Sequence, residues 1–224
     1  MPGGPDTRAA ASSTQRRGPG STAEGRRSRD RVLQVSLDLI TEVGIDQVRL
    51  AEIARRAGMS SGQVMYYFTS KEHILLETLA SREHEESSQR RVALPGAAPG
   101  WPRLELFTTL YLPSSLTDPV WILWTEAWAR APHNAHVSQF LDELMRPWRE
   151  DLAELVEHGT REGTFQPSGP IGDFTLRYCA MLDGLAMLRM RQMPTLSSTR
   201  LTQLAMDSAR TELAPRSSPG GPPR

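Results

Sequence analysis

The chain has 224 residues and a mass of 24.9 kDa, and its 26 basic side chains balance its 26 acidic ones, so no overall basic excess indicates a polyanion-binding protein. Its single cysteine, Cys179, excludes an internal disulfide framework and a paired-cysteine metal site. The charge is uneven, however, because residues 1–71 hold 11 Arg/Lys against 7 Asp/Glu while residues 72–224 hold 15 against 19, so any polyanion contact is expected in the first third.

The two ends of the chain have the composition of disordered segments. Residues 1–27 consist mainly of Gly, Pro, Ser, Ala, Thr and Arg and are predicted to form a disordered arm, and residues 215–224 a disordered tail. No apolar run approaches the ~18 residues of a membrane span, and the first 27 residues lack the apolar core of a signal peptide. We therefore expect a soluble, cytoplasmic protein with no membrane partner.

The first helix is indicated by apolar residues that repeat at spacings of three and four. It is predicted over Arg29–Val43, with Ser28 placed to cap its start and Gly44 to close its end. A short second helix follows from Leu50 and stops at Gly58, where a left-handed turn residue is wanted.

Two capping-box spacings mark the next helix starts. Ser60 and Gln63 predict the start of a third helix, and Thr69 with Glu72 that of a fourth, which is expected to run from Lys71 to about Ser88. The 22 residues from Ala51 to Glu72 combine two short helices, a glycine turn and a helix rich in polar and aromatic side chains. This arrangement predicts a DNA-reading helix-turn-helix, which we place in a domain over residues 28–72.

The third helix carries side chains suited to DNA. Small and polar residues at its start permit close approach to base edges, and Gln63 is predicted to pair with adenine through its amide. Tyrosine hydroxyls and the charges of Arg49 and Lys71 are expected to contact phosphate. Arginines of the arm either contact DNA as well or are merely solvated. The predicted DNA-binding residues are Arg49, Ser60, Ser61, Gly62, Gln63, Tyr66, Tyr67 and Lys71.

Residues 29–75 resemble the N-terminal domain of the TetR family of transcriptional regulators. The resemblance lies in Leu50-Ala51-Glu52-Ile53-Ala54, Ala57-Gly58-Met59-Ser60, Gly62, Tyr67-Phe68 and Ser70-Lys71-Glu72. It implies that the helix Ser61–Tyr67 enters the major groove and that Lys71 holds a phosphate. Met65 stands where the family usually has a tyrosine that contacts the DNA backbone, and Val48-Arg49 where it often has a Thr or Ser cap, so these contacts are expected to pass to Tyr66 and Arg49.

The remainder is predicted to be a helical bundle, which makes the whole chain all-α: an N-terminal three-helix helix-turn-helix domain and a C-terminal domain over residues 73–214 for ligand binding and dimerisation. Leu94 to Pro102 is predicted to be a loop. Asp118 followed by Pro119 is a strong helix start, and Gly163 a strong stop. Further helices are expected over residues 103–112, 119–131, 135–161, 171–191 and 198–213.

Trp121, Trp124 and Trp128 share one helical face. With Glu126 and Leu182-Asp183-Gly184-Leu185 they are similar to the C-terminal domain of the BetI-like subgroup of TetR regulators, which includes choline-responsive repressors. The stripe serves either the core or a cavity for an apolar or cationic effector, whose identity the resemblance does not transfer. The predicted ligand-binding residues are Phe107, Tyr111, Trp121, Trp124, Trp128, Tyr178 and Met181.

The helices over 135–161 and 171–191 carry more apolar surface than one inner seam requires. A homodimer through these two helices is expected, and it would place two reading helices on a palindromic double-stranded operator. The predicted interface residues are Trp148, Leu152, Leu155, Met181, Gly184, Leu185 and Leu188.

Catalysis, cofactors and metals find little support in the sequence. Cys179 lies in an apolar helical stretch, as buried inert thiols do, and His133 with His136 lacks a third ligand at convincing spacing, whether Glu126 or Asp142. The favoured hypothesis is a repressor released by a small molecule. The alternatives are a ligand-independent dimeric regulator and a helical ligand-binding or enzymatic protein that no longer reads DNA.

Overall fold

The computed structural model describes residues 23–191, 193 and 196–214. Over these residues the chain forms nine α-helices and one 3₁₀ turn, Ala131–His133, and no β-strand, which confirms the predicted all-α fold. The predicted tail and residues 1–22 of the predicted arm lie outside the described residues. The helices are α1 Ala23–Val43, α2 Leu50–Ala57, α3 Ser61–Tyr67, α4 Lys71–Gly96, α5 Trp101–Tyr111, α6 Pro119–Trp128, α7 Ala135–Arg161, α8 Ile171–Met190 and α9 Ser198–Leu213.

Helix α1 starts earlier than its apolar pattern indicates. It begins at Ala23 rather than Arg29, so the prediction of an arm extending to Arg27 is wrong for residues 23–27. Alanine, glutamate and arginine in this stretch favour a helix without adding an apolar stripe, and periodicity alone therefore misses it. The predicted end is confirmed, because Gly44 adopts φ 74° and donates its N–H to the Ile40 carbonyl at 2.9 Å.

The turn between α2 and α3 is built as the sequence indicates. Gly58 ends α2 in the left-handed region with φ 66°, and its N–H reaches back to the carbonyls of the last turn. The side chain of Ser60 accepts the N–H of Gln63, and the side chain of Gln63 accepts the N–H of Ser60, which confirms the predicted capping box. Val64 and Phe68 are fully buried and fix α3 against the other helices.

Helix α4 differs from its prediction at both ends. Its N-cap is Ser70, whose hydroxyl accepts the His73 N–H at 3.0 Å, so the cap predicted at Thr69 is wrong by one residue. The helix continues to Gly96, past the expected end near Ser88 and into the predicted loop. Its second half is polar, and Glu, Gln and Arg sustain a helix without an apolar repeat.

The bounds of the later helices agree closely with those predicted from the sequence. α7 and α9 have the predicted bounds, and α8 ends one residue earlier at Met190. α5 starts at Trp101 instead of Arg103, and α6 stops at Trp128, before the 3₁₀ turn. Asp118 caps α6 as predicted, since its carboxylate accepts the N–H groups of Val120 and Trp121. None of the nine described helices combines the length and apolarity needed to cross a bilayer.

One continuous core joins the two parts of the chain. The helix-turn-helix domain of α1 to α3 forms the reading head of the protein. α1 packs on α2 and α3 and also on α4 and α6, so the reading head contacts the C-terminal bundle of α4 to α9 directly. Within the bundle, α7 packs on α8 and α9 packs on α5 and α8. At the end of α7, the ring of Phe165 covers Gly159 so closely that an added Cβ would lie 2.3 Å from it.

Candidate DNA-reading surface and aromatic cavity

The outer face of α3 is open to solvent. Ser61, Gly62 and Gln63 are exposed at its start, and one turn later Met65 and Tyr66 expose 47% and 61% of their surface. Tyr67 is half-buried beside the core and meets Tyr66 edge to face, with ring centroids 5.3 Å apart. Most of the predicted reading residues therefore share an accessible surface, while Tyr67 lies partly behind it.

The capping box alters the expected role of Gln63. Its Oε1 accepts the backbone N–H of Ser60 at 2.8 Å, and the Ser60 hydroxyl accepts the Gln63 N–H at 3.2 Å. Bidentate pairing with adenine uses both the oxygen and the nitrogen of the amide. The capping box therefore uses one lone pair of the Gln63 amide oxygen and commits the Ser60 hydroxyl to the helix start, which limits the freedom of Gln63 to pair with a base.

Lys71 ties α4 to the loop between α1 and α2. Its Nζ donates toward three backbone carbonyls, those of Asp46 at 3.1 Å, Val48 at 3.2 Å and Ile45 at 3.4 Å. An ammonium group has three donors, so these contacts give Lys71 a positioning role for the loop, and its phosphate contact stays a prediction. Arg49 differs, because its exposed side chain does not cap α2.

The other basic side chains of α2 are neutralised by acids. Arg56 makes a two-pronged contact with Glu42, with both N–O distances 2.9 Å, and it shares Glu52 with Arg55. Hydrogen bonds from these arginines lower the pKa of the Glu52 carboxyl to about 2. Arg49, the residue before α2, is therefore better placed than Arg55 or Arg56 to contact a phosphate.

A row of polar contacts joins this reading head to the bundle. The Glu126 carboxylate in α6 accepts the backbone N–H of Ile45 at 3.2 Å, and Arg130 donates to the Asp46 carboxylate at 2.7 Å and to Glu126 at 3.0 Å. Glu126 thus faces the loop between α1 and α2, whereas the three tryptophans of α6 line the cavity.

A small cavity lies inside the bundle. Its volume is about 20 Å³, room for about one water molecule. Aromatic side chains dominate its wall, together with Val120, Met145 and three carboxylic acids. The lining residues are Glu83, Glu86, Tyr111, Val120, Trp121, Trp124, Trp128, Met145, Trp148 and Asp183.

Four of the seven predicted ligand residues line this cavity, namely Tyr111 and the three tryptophans of α6. The other three do not. Phe107 packs behind Trp148, with ring centroids 5.6 Å apart, and Tyr178 is hydrogen-bonded to Thr108 at 2.7 Å in the core. Met181 is half-buried against the core but does not line the cavity.

The acids were missed because they come from distant parts of the sequence. Glu83 is 5% exposed, and its carboxylate accepts the indole N–H of Trp124 at 2.7 Å and of Trp148 at 3.0 Å. Asp183 accepts the Tyr111 hydroxyl at 2.7 Å. The sequence did contain one indication that Glu83 is buried. It stands four residues after the core residue Leu79, on the same face of α4.

Burial disfavours the charged form of all three carboxyl groups. It raises the pKa of Glu83 against the hydrogen bonds from the two indoles, and it raises that of Asp183 against the Tyr111 hydrogen bond. For Glu86, burial together with the nearby charges of Glu83 and Asp118 raises the pKa to about 8. The cavity therefore brings together three carboxyl groups whose ionised forms are destabilised by burial.

The aromatic wall already holds one cation of the protein. The guanidinium of Arg90 lies 3.7 Å from the centroid of the Trp148 ring and donates to Asp151 at 2.5 Å. Arg90 is 1% exposed, so this contact is sheltered from water, where cation–π attraction is strongest.

An open cleft adjoins the cavity and shares Glu86 and Val120 with it. One wall of the cleft is α1 of the reading head, and the other consists of α4 and the segment that enters α6. Its acidic side chains outnumber its one arginine. They are Asp38, Glu42, Glu86 and Asp118, beside Arg82.

Part of the predicted dimer interface is buried within the protomer. Trp148, Leu152 and Leu155 are 4%, 0% and 7% exposed, so the prediction is wrong for these residues of α7, whose apolar face packs against its own bundle. On α8, Gly184 and Leu188 are exposed and Met181 with Leu185 is half-buried. Leu176, which was not predicted, is 63% exposed on the same helix.

The groups considered for catalysis are Cys179, His133 and His136, and none of them is among the residues that line the cavity. Cys179 is buried, and burial raises the pKa of its thiol to about 12, so little thiolate forms near neutral pH. His133 and His136 are exposed, and in the described part of the chain no three His, Cys, Asp or Glu side chains are placed to share a metal ion.

A short exposed helix behind a glycine turn, seated on an all-α bundle, defines a helix-turn-helix regulator. Residues 32–78 match the family model described as bacterial regulatory proteins of the tetR family, and residues 102–214, half of the chain, match the BetI-type transcriptional repressor C-terminal domain. The chain belongs to the TetR family of transcriptional regulators and has a BetI-type C-terminal domain.

Individual relatives agree with this placement. The regulator BetI of Klebsiella pneumoniae is 28% identical over 160 residues, which are 70% of this chain and 79% of that protein. The repressor KstR of Rhodococcus jostii is 35% identical over 103 residues, 46% of each chain. The regulator TtgW of Pseudomonas putida is 34% identical over 64 residues, and this match spans 48% of its length and 29% of this chain.

Solved structures share the fold. A putative transcriptional regulator from Saccharomonospora viridis in complex with choline superposes with a TM-score of 0.77 at 24% identity, covering 85% of this chain and all of that one. FadR from Bacillus subtilis in complex with stearoyl-CoA superposes with a TM-score of 0.69 at 16% identity, covering 80% and 95%.

Proposed function

We propose that this regulator represses transcription by binding a palindromic operator as a homodimer, and that an organic cation entering the aromatic cavity releases it. The observation that carries the ligand class is the composition of the cavity. Four indole rings and a phenol surround a space bordered by three carboxyl groups, which is the chemistry that holds quaternary ammonium ions.

The charge of the cavity favours a cation over other ligands. Glu83, Glu86 and Asp183 all have raised pKa values, so a cation seated among them would stabilise their ionised forms. A neutral ligand gives no such stabilisation, and an anionic ligand would be repelled by any of these groups that ionises. The choline complex of the similar Saccharomonospora regulator supports the same ligand class.

Binding requires the cavity to open, because its present volume admits only about one water molecule. The adjoining acidic cleft supplies a route, since Glu86 and Val120 border both spaces. Its excess of carboxylates would raise the local concentration of a cation. A ligand using this route passes between α1 of the reading head and α4 of the bundle.

Helix α6 would transmit ligand binding in the cavity to the DNA-binding helices. Its tryptophans face the cavity, and on another side Glu126 and the following Arg130 hold the loop at Ile45 and Asp46. Expansion of the cavity would displace α6 and, through these contacts, the orientation of the reading head. The ligand would then favour a dimer whose two α3 helices no longer match the half-site spacing.

Titration of tryptophan fluorescence tests the ligand class. Choline is compared with 3,3-dimethylbutan-1-ol, which has the same shape but no charge. We expect choline to quench fluorescence and the alcohol to have no effect at the same concentration. Asp183→Asn should weaken choline binding by about tenfold, whereas Asp207→Asn, on the exposed face of α9, should leave it unchanged. Equal binding of the alcohol and of choline would exclude the cation mechanism.

A second measurement tests release from DNA. A high-affinity duplex is first selected from a randomised pool, and its complex is then titrated with choline. We expect dissociation in wild-type protein and retention of the complex in Asp183→Asn at the same choline concentration. A complex that no organic cation dissociates would instead support the ligand-independent regulator.

The homodimer is assigned to α8. Leu176, Ala180, Gly184 and Leu188 are spaced by four residues, and all four are exposed. They form one ridge on the helix, and Gly184 leaves open space at its centre. Such a ridge can pack against the same ridge of a second copy.

Light scattering tests the dimer. Gly184→Arg should convert a particle of twice the chain mass into a monomer and abolish tight binding to the palindrome. Val92→Arg introduces the same charge at a position that is 81% exposed on α4 and should leave the dimer intact. A dimer that persists in Gly184→Arg would refute this interface.

A further inference from the structure

Met65 stands out on the reading helix because it is an apolar side chain on an otherwise polar, open surface. It exposes 47% of its area, whereas the other large apolar side chain of α3, Val64, is fully buried. Exposed apolar surface on a binding element is expected to become buried in the complex. Met65 is therefore a candidate for contact with an apolar part of DNA.

The neighbours of Met65 permit close approach to the groove. Ser61 and Gly62, one turn earlier on the same exposed face, are small. Tyr66 lies beside Met65 and Arg49 at the start of α2, and both are exposed and suited to phosphate contacts that set the register. A flexible thioether between such anchors can adapt its shape to a base edge.

The polar alternative is restricted by the capping box. The Oε1 of Gln63 is held by the Ser60 N–H at 2.8 Å, which ties the amide to the helix start and leaves its oxygen one lone pair for hydrogen bonds to a base. In the major groove the one large apolar feature of a base pair is the C5-methyl group of thymine. That methyl group is the complement of Met65.

We propose that Met65 is a specificity-determining residue that packs against the C5-methyl group of a thymine in each operator half-site. This inference rests on the DNA binding of the proposed function and is independent of the effector and of its cavity. It gives this position a contact that reads sequence, while the backbone contact is expected from Tyr66.

Deoxyuridine substitution tests the contact directly, because uracil keeps the pairing of thymine and lacks only the methyl group. A duplex is selected from a randomised pool with the wild-type protein, and each thymine is then replaced in turn. We expect one position in each half-site at which the substitution weakens binding about fourfold, the value of one buried methyl-sized group.

Variants of Met65 complete the test. Met65→Ala should bind the thymine duplex more weakly and lose the difference between thymine and uracil at that position, and Met65→Leu should retain the difference. Tyr66→Phe is the matched control, since it removes a hydroxyl from the adjacent residue and should weaken both duplexes equally. Circular dichroism establishes that each variant is folded, which is expected at exposed positions.

Three outcomes would overturn the proposal. Wild-type binding that is insensitive to uracil at every position contradicts it, as does a Met65→Ala protein that retains the discrimination. Selection of no duplex at all would overturn the DNA-binding function itself, which separates failure of that function from failure of the methyl contact alone.

Discussion

Glu86 makes the affinity for a cationic effector depend on pH. Burial, with the charges of Glu83 and Asp118, raises its pKa to about 8, while Arg82 and Arg90 oppose this shift. In the empty protein the carboxyl group is therefore mostly protonated at neutral pH. A cation in the cavity stabilises the ionised form and lowers this pKa, so binding releases a proton.

The direction and the size of the pH dependence of cation affinity follow from this proton release. Below a pH of about 8 the group must lose its proton on binding, so affinity rises with pH by up to about tenfold per unit, and it levels off above the pKa of the empty protein. Between pH about 6 and about 8 choline should gain up to about fiftyfold in affinity if the pKa of Glu86 in the complex falls below this window.

Fluorescence titration across this range measures the slope, and calorimetry in two buffers of different ionisation enthalpy counts the released proton. Glu86→Gln should flatten the profile, because an amide does not titrate. Glu85→Gln is the control, since Glu85 is exposed and does not line the cavity. A wild-type affinity that is constant with pH, or an equal slope in Glu86→Gln, would refute the reasoning.

Three further changes test the fold around the two sites. Gly159→Ala places a Cβ 2.3 Å from the Phe165 ring and should lower the free energy of unfolding by about 1–3 kcal/mol, whereas Gly172→Ala meets no neighbour and should be neutral or stabilising in the same denaturation assay. Ser60→Ala removes the hydroxyl that caps α3 and should cost about 1 kcal/mol of stability; an unchanged midpoint would contradict the capping role. Lys71→Met frees three loop carbonyls and should weaken operator binding at every salt concentration alike, while a reduced salt dependence would instead indicate a lost phosphate contact.

Local chemistry explains why the reading head was predictable. The Gly58 turn and the Ser60–Gln63 capping box depend on residues a few positions apart, and both are present as expected. The same locality explains the errors at Ala23 and at the polar end of α4, where a helix continues without the apolar repeat that marks one. The apolar repeat in the sequence indicates that a helix is present. The length of the helix also depends on the segments it packs against, which the repeat does not reveal.

The cavity was predictable only in part. The shared face of Trp121, Trp124 and Trp128 is a property of one helix and was visible in the sequence. Trp148 illustrates the limit, because its apolar position on α7 suited a dimer surface as well as a core, and only packing against α4 assigns it to the cavity wall. Phe107 and Tyr178 likewise have the right chemistry, yet the core encloses them elsewhere.

The sequence by itself determined the all-α class, the reading helix and the aromatic stripe, because each depends on spacing within a single element. The tertiary structure decided which acids meet those aromatic rings, since Glu83, Glu86 and Asp183 come from α4 and α8 and are brought together only by packing. It also decided that Lys71 holds a loop and that Gln63 serves a cap, because a polar side chain takes whichever partner the folded backbone places within reach.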